Sequence, residues 1–358
     1  MTDFSKLKRY PIIKNDPLKA WDASDELVGE YLKTPKYCEC KKLLLINDSF
    51  GALCKASESR EIYCYSDSYV SKMAIEQNIP STPNLLNDLN DLKGDYDLVI
   101  IKLPKNLSFL EDILIQLTRF LPKSTPLIFS GMIKHMANGH FDLINKYIGE
   151  TSTSLAKKKA RLIFANLEKE EAQSIYPLSI SIPQWNKDLQ NESNLFSREK
   201  LDIGTRFFLE NIPRGDFKNI LDLGCANGLI GLKAKQLNPS ATIHFVDESY
   251  MAIKSARANY QNSFDDSAIY NWTNCYEDED FSEVDLVLCN PPFHQGNTIG
   301  DFIAWQMFKN SFQKLQRGGK LIVIGNSHLR YNLKLKKIFG NCKIINQNKK
   351  FHILESTR

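Results

Sequence analysis

The second half of this chain repeats the first, and that repetition limits the fold more than any single motif does. "LLLINDSFGALC" (43–54) stands where "ILDLGCANGLIG" (220–231) does, and "YSDSYVSKMAIEQN" (65–78) resembles "VDESYMAIKSARAN" (246–259). "YDLVIIKLPKN" (96–106) matches "VDLVLCNPPFH" (284–294), and "LPKSTPLIFSGM" (121–132) matches "LQRGGKLIVIGN" (315–326). "IGETSTSLAKKKARLIF" (148–164) aligns with "FGNCKIINQNKKFHILE" (339–355). The offset climbs from 177 to 194 and returns to 191, as loop insertions between fixed elements would make it. Two copies of one fold are expected, joined near "SIYPLSISIPQW" (174–185), with a degenerate domain over 1–180 and a second over 186–358. A length of 358 residues, 42% of them hydrophobic, suffices for two buried cores.

Within the second copy, strand and helix signals alternate. "NILDLGC" (219–225), "ATIHFVDES" (241–249), "VDLVLCN" (284–290) and "KLIVIGN" (320–326) read as strands. "GLIGLKAKQLN" (228–238), "YMAIKSARANYQN" (250–262) and "DFIAWQMFKNSFQKLQ" (301–316, closed by Gly318-Gly319) read as helices. This alternation predicts an α/β fold with a parallel, Rossmann-like sheet covered on both faces.

The net charge of +4 permits contact with nucleic acid without arguing for it. No run approaches the roughly 18 apolar residues of a membrane span, and the N-terminus carries no apolar signal core, so a cytoplasmic protein is expected. Only Cys38 and Cys40 of eight scattered cysteines lie close together, and C-x-C is no zinc pattern; free thiols and no metal are expected. A monomer is the expected state.

"LDLGCANG" ends a strand and opens a helix. Gly224 lets the chain turn, and Gly228 allows close approach of a ligand and of the helix. Asp247, at the end of the next strand, offers a carboxylate for both hydroxyls of a ribose; the competing reading is a cap on the helix starting near Tyr250. A dinucleotide pyrophosphate wants G-x-G-x-x-G, whereas the pattern here is G-x-A-x-G. That fits a ligand without phosphate, whose amino-acid end is held by Asp222 and the amides of Gly224, Cys225, Ala226, Asn227 and Gly228: S-adenosylmethionine.

Asn290-Pro291-Pro292-Phe293 follows directly on a buried strand, at the C-terminal strand end where parallel α/β proteins place ligands. The prolines fix φ and remove two N–H groups, leaving carbonyls free. The Asn290 side-chain oxygen and the Pro291 carbonyl can then accept both protons of one exocyclic NH₂. Holding those protons out of the ring plane turns the nitrogen lone pair toward an incoming methyl. Phe293 offers a stacking face, a contact worth roughly 1–3 kcal/mol in nucleic-acid sites. The competing reading is a rigid turn with a core Phe. His294 is read as orienting or structural, because an amino group becomes acidic as it is alkylated and needs no prior base.

"NLFSREKLDIGTRFFLENIP" (194–213), "LDLGCANGLIG" (221–231) and "CNPPFHQG" (289–296) together resemble the bacterial two-domain ribosomal RNA guanine-N2 methyltransferases. The members acting on 23S RNA match best; those acting on 16S RNA are similar in layout. The resemblance implies two tandem Rossmann-like class I methyltransferase domains, the N-terminal copy degenerate and helping to bind RNA. It implies an S-adenosylmethionine site at residues 224–228 and Asp247, with Thr273 and Asn274 near the adenine and Gly204-Thr205 near the methionine end. It implies a guanine held by Asn290 through Phe293, with Asn290 also bordering the cofactor. The family usually has glycine where this chain has Ala226, which would strain the loop if φ is positive there. The motifs leave open protein glutamine methylation, a non-catalytic RNA-binding module and a nicotinamide enzyme. "AKKKAR" (156–161) reads as an RNA-binding run or a solvated hairpin edge, and Lys102 and Lys105 as a phosphate-binding surface in the degenerate copy.

Overall fold

The computed structural model describes residues 2–13, 16–81, 83–182, 187–195, 201–277, 284–292 and 298–358. Phe293 and His294 therefore lie outside the described residues, as do Phe196 to Lys200 of the segment before the glycine motif. The chain divides into two compact units, Met1–Tyr176 and Pro177–Arg358.

In the first unit the strands are β1 (Lys42–Ile46), β2 (Glu61–Tyr65), β3 (Asn84–Leu86), β4 (Leu98–Lys102), β5 (Pro126–Met132), β6 (Ser152–Thr153) and β7 (Ala160–Asn166). The helices are α1 (Ala23–Tyr31), α2 (Ala52–Ala56), α3 (Tyr69–Asn78), α4 (Leu107–Phe120) and α5 (Asn138–Tyr147). The sheet order is β3-β2-β1-β4-β5-β7-β6. Residues Leu43 to Ile46 of β1 are wholly buried, as a central strand covered on both faces requires.

The second unit opens with a hairpin, β8 (Leu178–Ile182) and β9 (Lys187–Asn191), which the sequence reading did not anticipate. Its sheet strands are β10 (Asn219–Leu223), β11 (Thr242–Asp247), β12 (Ile269–Trp272), β13 (Val284–Cys289), β14 (Leu315–Asn326), β15 (Lys343–Gln347) and β16 (Phe351–Thr357). Its helices are α6 (Ile203–Leu209), α7 (Leu229–Leu237), α8 (Tyr250–Gln261), α9 (Thr298–Lys314) and α10 (Tyr331–Phe339). The order β12-β11-β10-β13-β14-β16-β15 repeats the first unit strand for strand.

The repeat holds at the level of register. Leu43 pairs with Leu98 and Ile46 with Ile101, just as Ile220 pairs with Leu286 and Leu223 with Cys289. In both units the fifth sheet strand meets its antiparallel neighbour likewise, Met132 with Ala160 and Asn326 with Phe351. Lys102, the last residue of β4, and Asn290, the first past β13, are equivalent, each following directly on one of those register-matched pairs.

Successive residues of β10 point to opposite faces. Ile220 enters one core with Phe245, Tyr260 and the hairpin residues Ile180, Ile182 and Leu189. Leu221 and Leu223 enter the other with Val246, Val287 and Met307. Asp222 thus shares the face of Ile220 and looks at α7. Helix α9 ends at Lys314 rather than 316, because the register shift between Val284 and Leu286 lets Leu315 already pair with β13.

Candidate functional site

Three parallel strands end flush. Leu223 is opposite both Val246 and Cys289, so Gly224 has Asp247 on one side and Asn290 on the other. Asp247 in turn pairs with Trp272, so Thr273 and Asn274 follow next in line. With strands about 4.8 Å apart, the row runs about 10 Å from Asp247 to Asn290.

The loop after β10 is a turn of left-handed residues, Gly224 at φ 76°, Ala226 at 48° and Gly228 at 82°. A Cβ on Gly228 would lie 3.0 Å from Ala256, so glycine is required by space and by φ. Gly228 is also the N-cap of α7 and has no side chain to serve as cap. Asp222 supplies it from the strand: its Oδ2 accepts the Gly231 N–H at 2.8 Å, leaving Oδ1 buried and without a hydrogen-bond partner among the described residues. Burial pushes this carboxyl up to about 7 against the pull of the Gly231 N–H, and the charge on Asp247 adds to the rise. Because the folded value lies above the ordinary 3.8, the carboxyl's contribution to stability is complete below about pH 4 and is lost as pH rises through 7. A cation placed at Oδ1 would oppose that loss.

Asp247 holds the loop closed. Its Oδ2 accepts the Ala226 N–H at 2.9 Å and its Oδ1 the Ser249 N–H at 3.0 Å. The cap of α8 is Ser249, which accepts from Ala252, so the carboxylate is an anchor between loop and helix rather than the cap itself.

Other members of the candidate set are committed to the protein. The Cys225 side chain lies in the core, its thiol pushed up by burial, so only its backbone faces the turn. Asn227 donates to Asn191 at 3.0 Å and accepts from the Leu229 N–H. Thr273 and Asn274 are buried, and Asn274 donates to Glu277 at 2.7 Å. Asn259 of α8, which the sequence reading missed, pairs with both backbone groups of Gln190 and donates to the Asn227 carbonyl, all within 2.9 Å. The hairpin is thereby latched to the glycine turn.

Asn290 is half-buried and is followed by a buried Pro291 and a half-buried Pro292. Its Nδ2 donates to the Thr205 hydroxyl at 3.2 Å; its Oδ1 is buried and unpaired among the described residues. Thr205 sits on α6, whose cap Asp202 accepts the Thr205 N–H at 3.0 Å. Two unsatisfied acceptors among the described residues thus adjoin the glycine turn, Asp222 Oδ1 two residues before Gly224 in β10 and Asn290 Oδ1 at the neighbouring strand end. A buried unpaired acceptor costs about 1–3 kcal/mol, so the arrangement is built for donors that arrive with a ligand. The sulfonium donor's ammonium suits the first and an exocyclic amine the second, so the residues present fit S-adenosylmethionine.

Comparison with known proteins agrees with this geometry. Residues 2–169 match the RLMG N-terminal domain model and residues 186–355 the methyltransferase small domain model. A "Ribosomal RNA large subunit methyltransferase G" of Psychromonas ingrahamii is 42% identical, with 98% of this chain and 96% of the relative covered. The protein of that name in Pseudoalteromonas translucida is 41% identical, covering 98% and 95%. The chain belongs to the ribosomal RNA large subunit methyltransferase G family. The family's fold is also that of the T. thermophilus 16S rRNA N2 methyltransferase RsmC, solved with AdoMet and guanosine: TM-score 0.78 at 17% identity, covering 94% of this chain and 92% of that one.

In this family member the first unit keeps the backbone of the site and fills it. Asn47 at φ 67° and Gly51 at 84° reproduce the turn of Gly224 and Gly228. The carboxylate that caps the following helix has moved into the loop: Asp48 accepts from Gly51, Ala52 and Cys54. Phe50 lies under the Arg9 guanidinium, and its carbonyl accepts from Asn78. Lys102, in the place of Asn290, is bound to both oxygens of Asp25 at 2.7 Å and to Asp22 at 3.3 Å. The expected phosphate-binding role for Lys102 is therefore corrected: its charge is spent inside the protein, while Lys105 remains exposed. In the "AKKKAR" run, 157–159 form a turn, with Lys157 paired to Glu30 and Lys158 to Glu26.

Ala226 holds the left-handed conformation that a glycine adopts freely. Ala226→Gly is expected to stabilise the chain by about 1 kcal/mol, a rise of roughly 2–4 °C in the Tm of the second unit measured by calorimetry.

Proposed function

We infer that the second unit transfers a methyl group from S-adenosylmethionine to the exocyclic N2 of a guanine in 23S ribosomal RNA. The observation that carries this reading is the buried, unpaired Asn290 Oδ1, one strand from the glycine turn. S-adenosylmethionine supplies, when bound, a methyl group on an electron-poor sulfur. The turn 224–228 and Asp247 are the groups that hold it, Asp247 at the ribose and Asp222 Oδ1 at the ammonium. Asn290 Oδ1 and the Pro291 carbonyl accept the two amine hydrogens and aim the nitrogen lone pair at the methyl. Formation of the N–C bond would be matched by cleavage of the S–CH3 bond, its electron pair remaining on sulfur to leave neutral S-adenosylhomocysteine, and the amine's surplus proton would pass to water. All the groups named here come from one unit of one chain, so the reading needs no second subunit, and a ribosomal substrate implies the cytoplasm. Among the described residues no helix is long and apolar enough to cross a membrane.

The RNA backbone has matching cations to meet. In the first unit Lys105, Lys134 and Lys159 are exposed near the ends of β4, β5 and β7, beside His135, whose imidazole desolvation and the charges of Lys105 and Lys134 hold below its usual range, so that it adds no cation at neutral pH. In the second unit His328, Arg330, Lys349 and Lys350 are exposed at the corresponding edge. The same bond builds both edges: the Ile133 N–H donates to the Lys159 carbonyl and the Ser327 N–H to the Lys350 carbonyl, each at 2.9 Å. The first copy has lost its reactive groups and kept these charges, which supports a role in RNA binding. Lys349→Ala with Lys350→Ala is expected to weaken rRNA binding and to flatten the slope of log K against log salt by about 1.5. S-adenosylmethionine affinity should not change.

The function itself is tested by incubating the protein with methyl-labelled cofactor and rRNA from cells lacking the enzyme. Label on guanine N2 of 23S RNA is expected. Label in 16S RNA or in protein would redirect the substrate, and no label at all would overturn the reading.

A further inference from the structure

We propose that the Thr205 hydroxyl sets the orientation of the Asn290 side-chain amide, so that the site offers an oxygen, and not an NH₂ group, to the target nitrogen. The inference rests on the reading of Asn290 as the acceptor for guanine N2 and adds a positioning residue to it.

A side-chain amide has two orientations, related by a half-turn, with nearly the same shape. In one, Asn290 presents an acceptor to the amine; in the other it presents two donors, and donor would face donor. The catalytic reading works only in the first. Something beyond shape must therefore choose, and among the described residues the Thr205 side chain hydrogen-bonds Asn290, its Oγ1 accepting from Nδ2 at 3.2 Å. The threonine is itself held: its backbone N–H is tied to Asp202 Oδ2 at 3.0 Å, which leaves its hydroxyl free of any capping duty.

A hydroxyl can donate as well as accept, so the bond alone leaves its polarity undetermined. The first unit supplies the precedent for it. Asp22 and Asp202 are both helix N-caps, and Asp25 and Thr205 both stand three residues later. Lys102 and Asn290 each follow directly on a register-matched pair, Ile46 with Ile101 and Leu223 with Cys289. The bond from strand end to helix is thus the same in both copies: Lys102 to Asp25 at 2.7 Å, Asn290 to Thr205 at 3.2 Å. An ammonium can only donate. In the duplicated fold the strand-end residue donates and the third helical residue accepts. With the same polarity in the second copy, Nδ2 is drawn toward Thr205 and Oδ1 is left facing away from it, unpaired. Thr205 was expected from sequence to border the methionine end of the cofactor; the bond points instead to the substrate half of the site.

The test uses the full-length protein and three variants. Thr205→Val keeps the shape and removes the acceptor. It is expected to lower kcat on rRNA by about tenfold or more, the scale of a small misplacement of a reacting group. Cofactor affinity by calorimetry and KM for rRNA should stay within about twofold. Thr205→Ser should recover kcat to within about threefold of wild type, which a merely packed methyl would not. Asn290→Asp carries an acceptor in either orientation, so adding Thr205→Val to that background should cost almost nothing further. Full activity of Thr205→Val would overturn the proposal, as would failure of Thr205→Ser to rescue, or equal losses in both backgrounds. Cofactor affinity falling in step with kcat would assign the hydroxyl to the cofactor instead. A wild-type protein that methylates no guanine overturns the assigned reaction, whereas an active wild type indifferent to residue 205 overturns only this inference.

Discussion

Asn290→Ala is expected to lower kcat for rRNA methylation by about a hundredfold to a thousandfold, the range seen when one preorganised polar group is removed from a reacting centre. Among the described residues the side chain has one hydrogen bond, to Thr205, and its buried Oδ1 has none. Removing it should leave the fold intact and even relieve an unsatisfied acceptor. Cofactor affinity should stay within a few fold, because the turn 224–228 and Asp247 hold one another without it. Single-turnover kinetics beside calorimetry separates the two quantities. A variant nearly as active as wild type would show that the amine is not activated by this oxygen.

The second large effect lies in the first unit. Lys102→Met is expected to destabilise the chain by about 3–5 kcal/mol, the usual cost of stripping a partner from a buried ion pair. Asp25 is wholly buried, and its carboxyl already stands at about 6, raised by burial and by Asp22 and Asp48 against the pull of Lys102. The Lys102 ammonium is held above its usual range by Asp25 and Asp22 despite burial. The sign with pH follows. A carboxyl whose folded value is raised contributes fully below its ordinary 3.8 and loses that contribution as pH climbs through 6. Without Lys102 the rise grows, so the loss in Tm should be larger at pH 8 than at pH 5. Asp25→Thr with Lys102→Asn, which copies the second unit's neutral pair, should recover most of it. Equal losses at both pH values would show that the ion pair does not govern stability here.

The apolar skeleton made much of this legible in one sequence. Strands buried on both faces need unbroken apolar runs, so the two copies still align where their chemistry has diverged, and the register of β1 with β4 and of β10 with β13 follows the aligned residues. Gly224, Gly228 and Asn290 were readable because a left-handed turn and a strand-end amide before two prolines are local signals. What escaped was polar pairing across distance. Asn259 looks like an ordinary polar residue of an amphipathic helix until its bonds to Gln190 and Asn227 are seen. Thr205 carries no mark of its contact 85 residues away. The hairpin β8–β9 was hidden by the prolines and short strands around it. Lys102 read as a surface cation because Asp22 and Asp25, which neutralise it, lie far back in the chain.

The account turns on one contact, and a crystal of the second unit's site with S-adenosylhomocysteine and guanosine would measure it. The prediction is a guanine N2 within about 3.2 Å of Asn290 Oδ1. The demethylated cofactor should lie along the 224–228 turn with its ribose on Asp247. A guanine bound away from residue 290, or facing its Nδ2, would contradict the account.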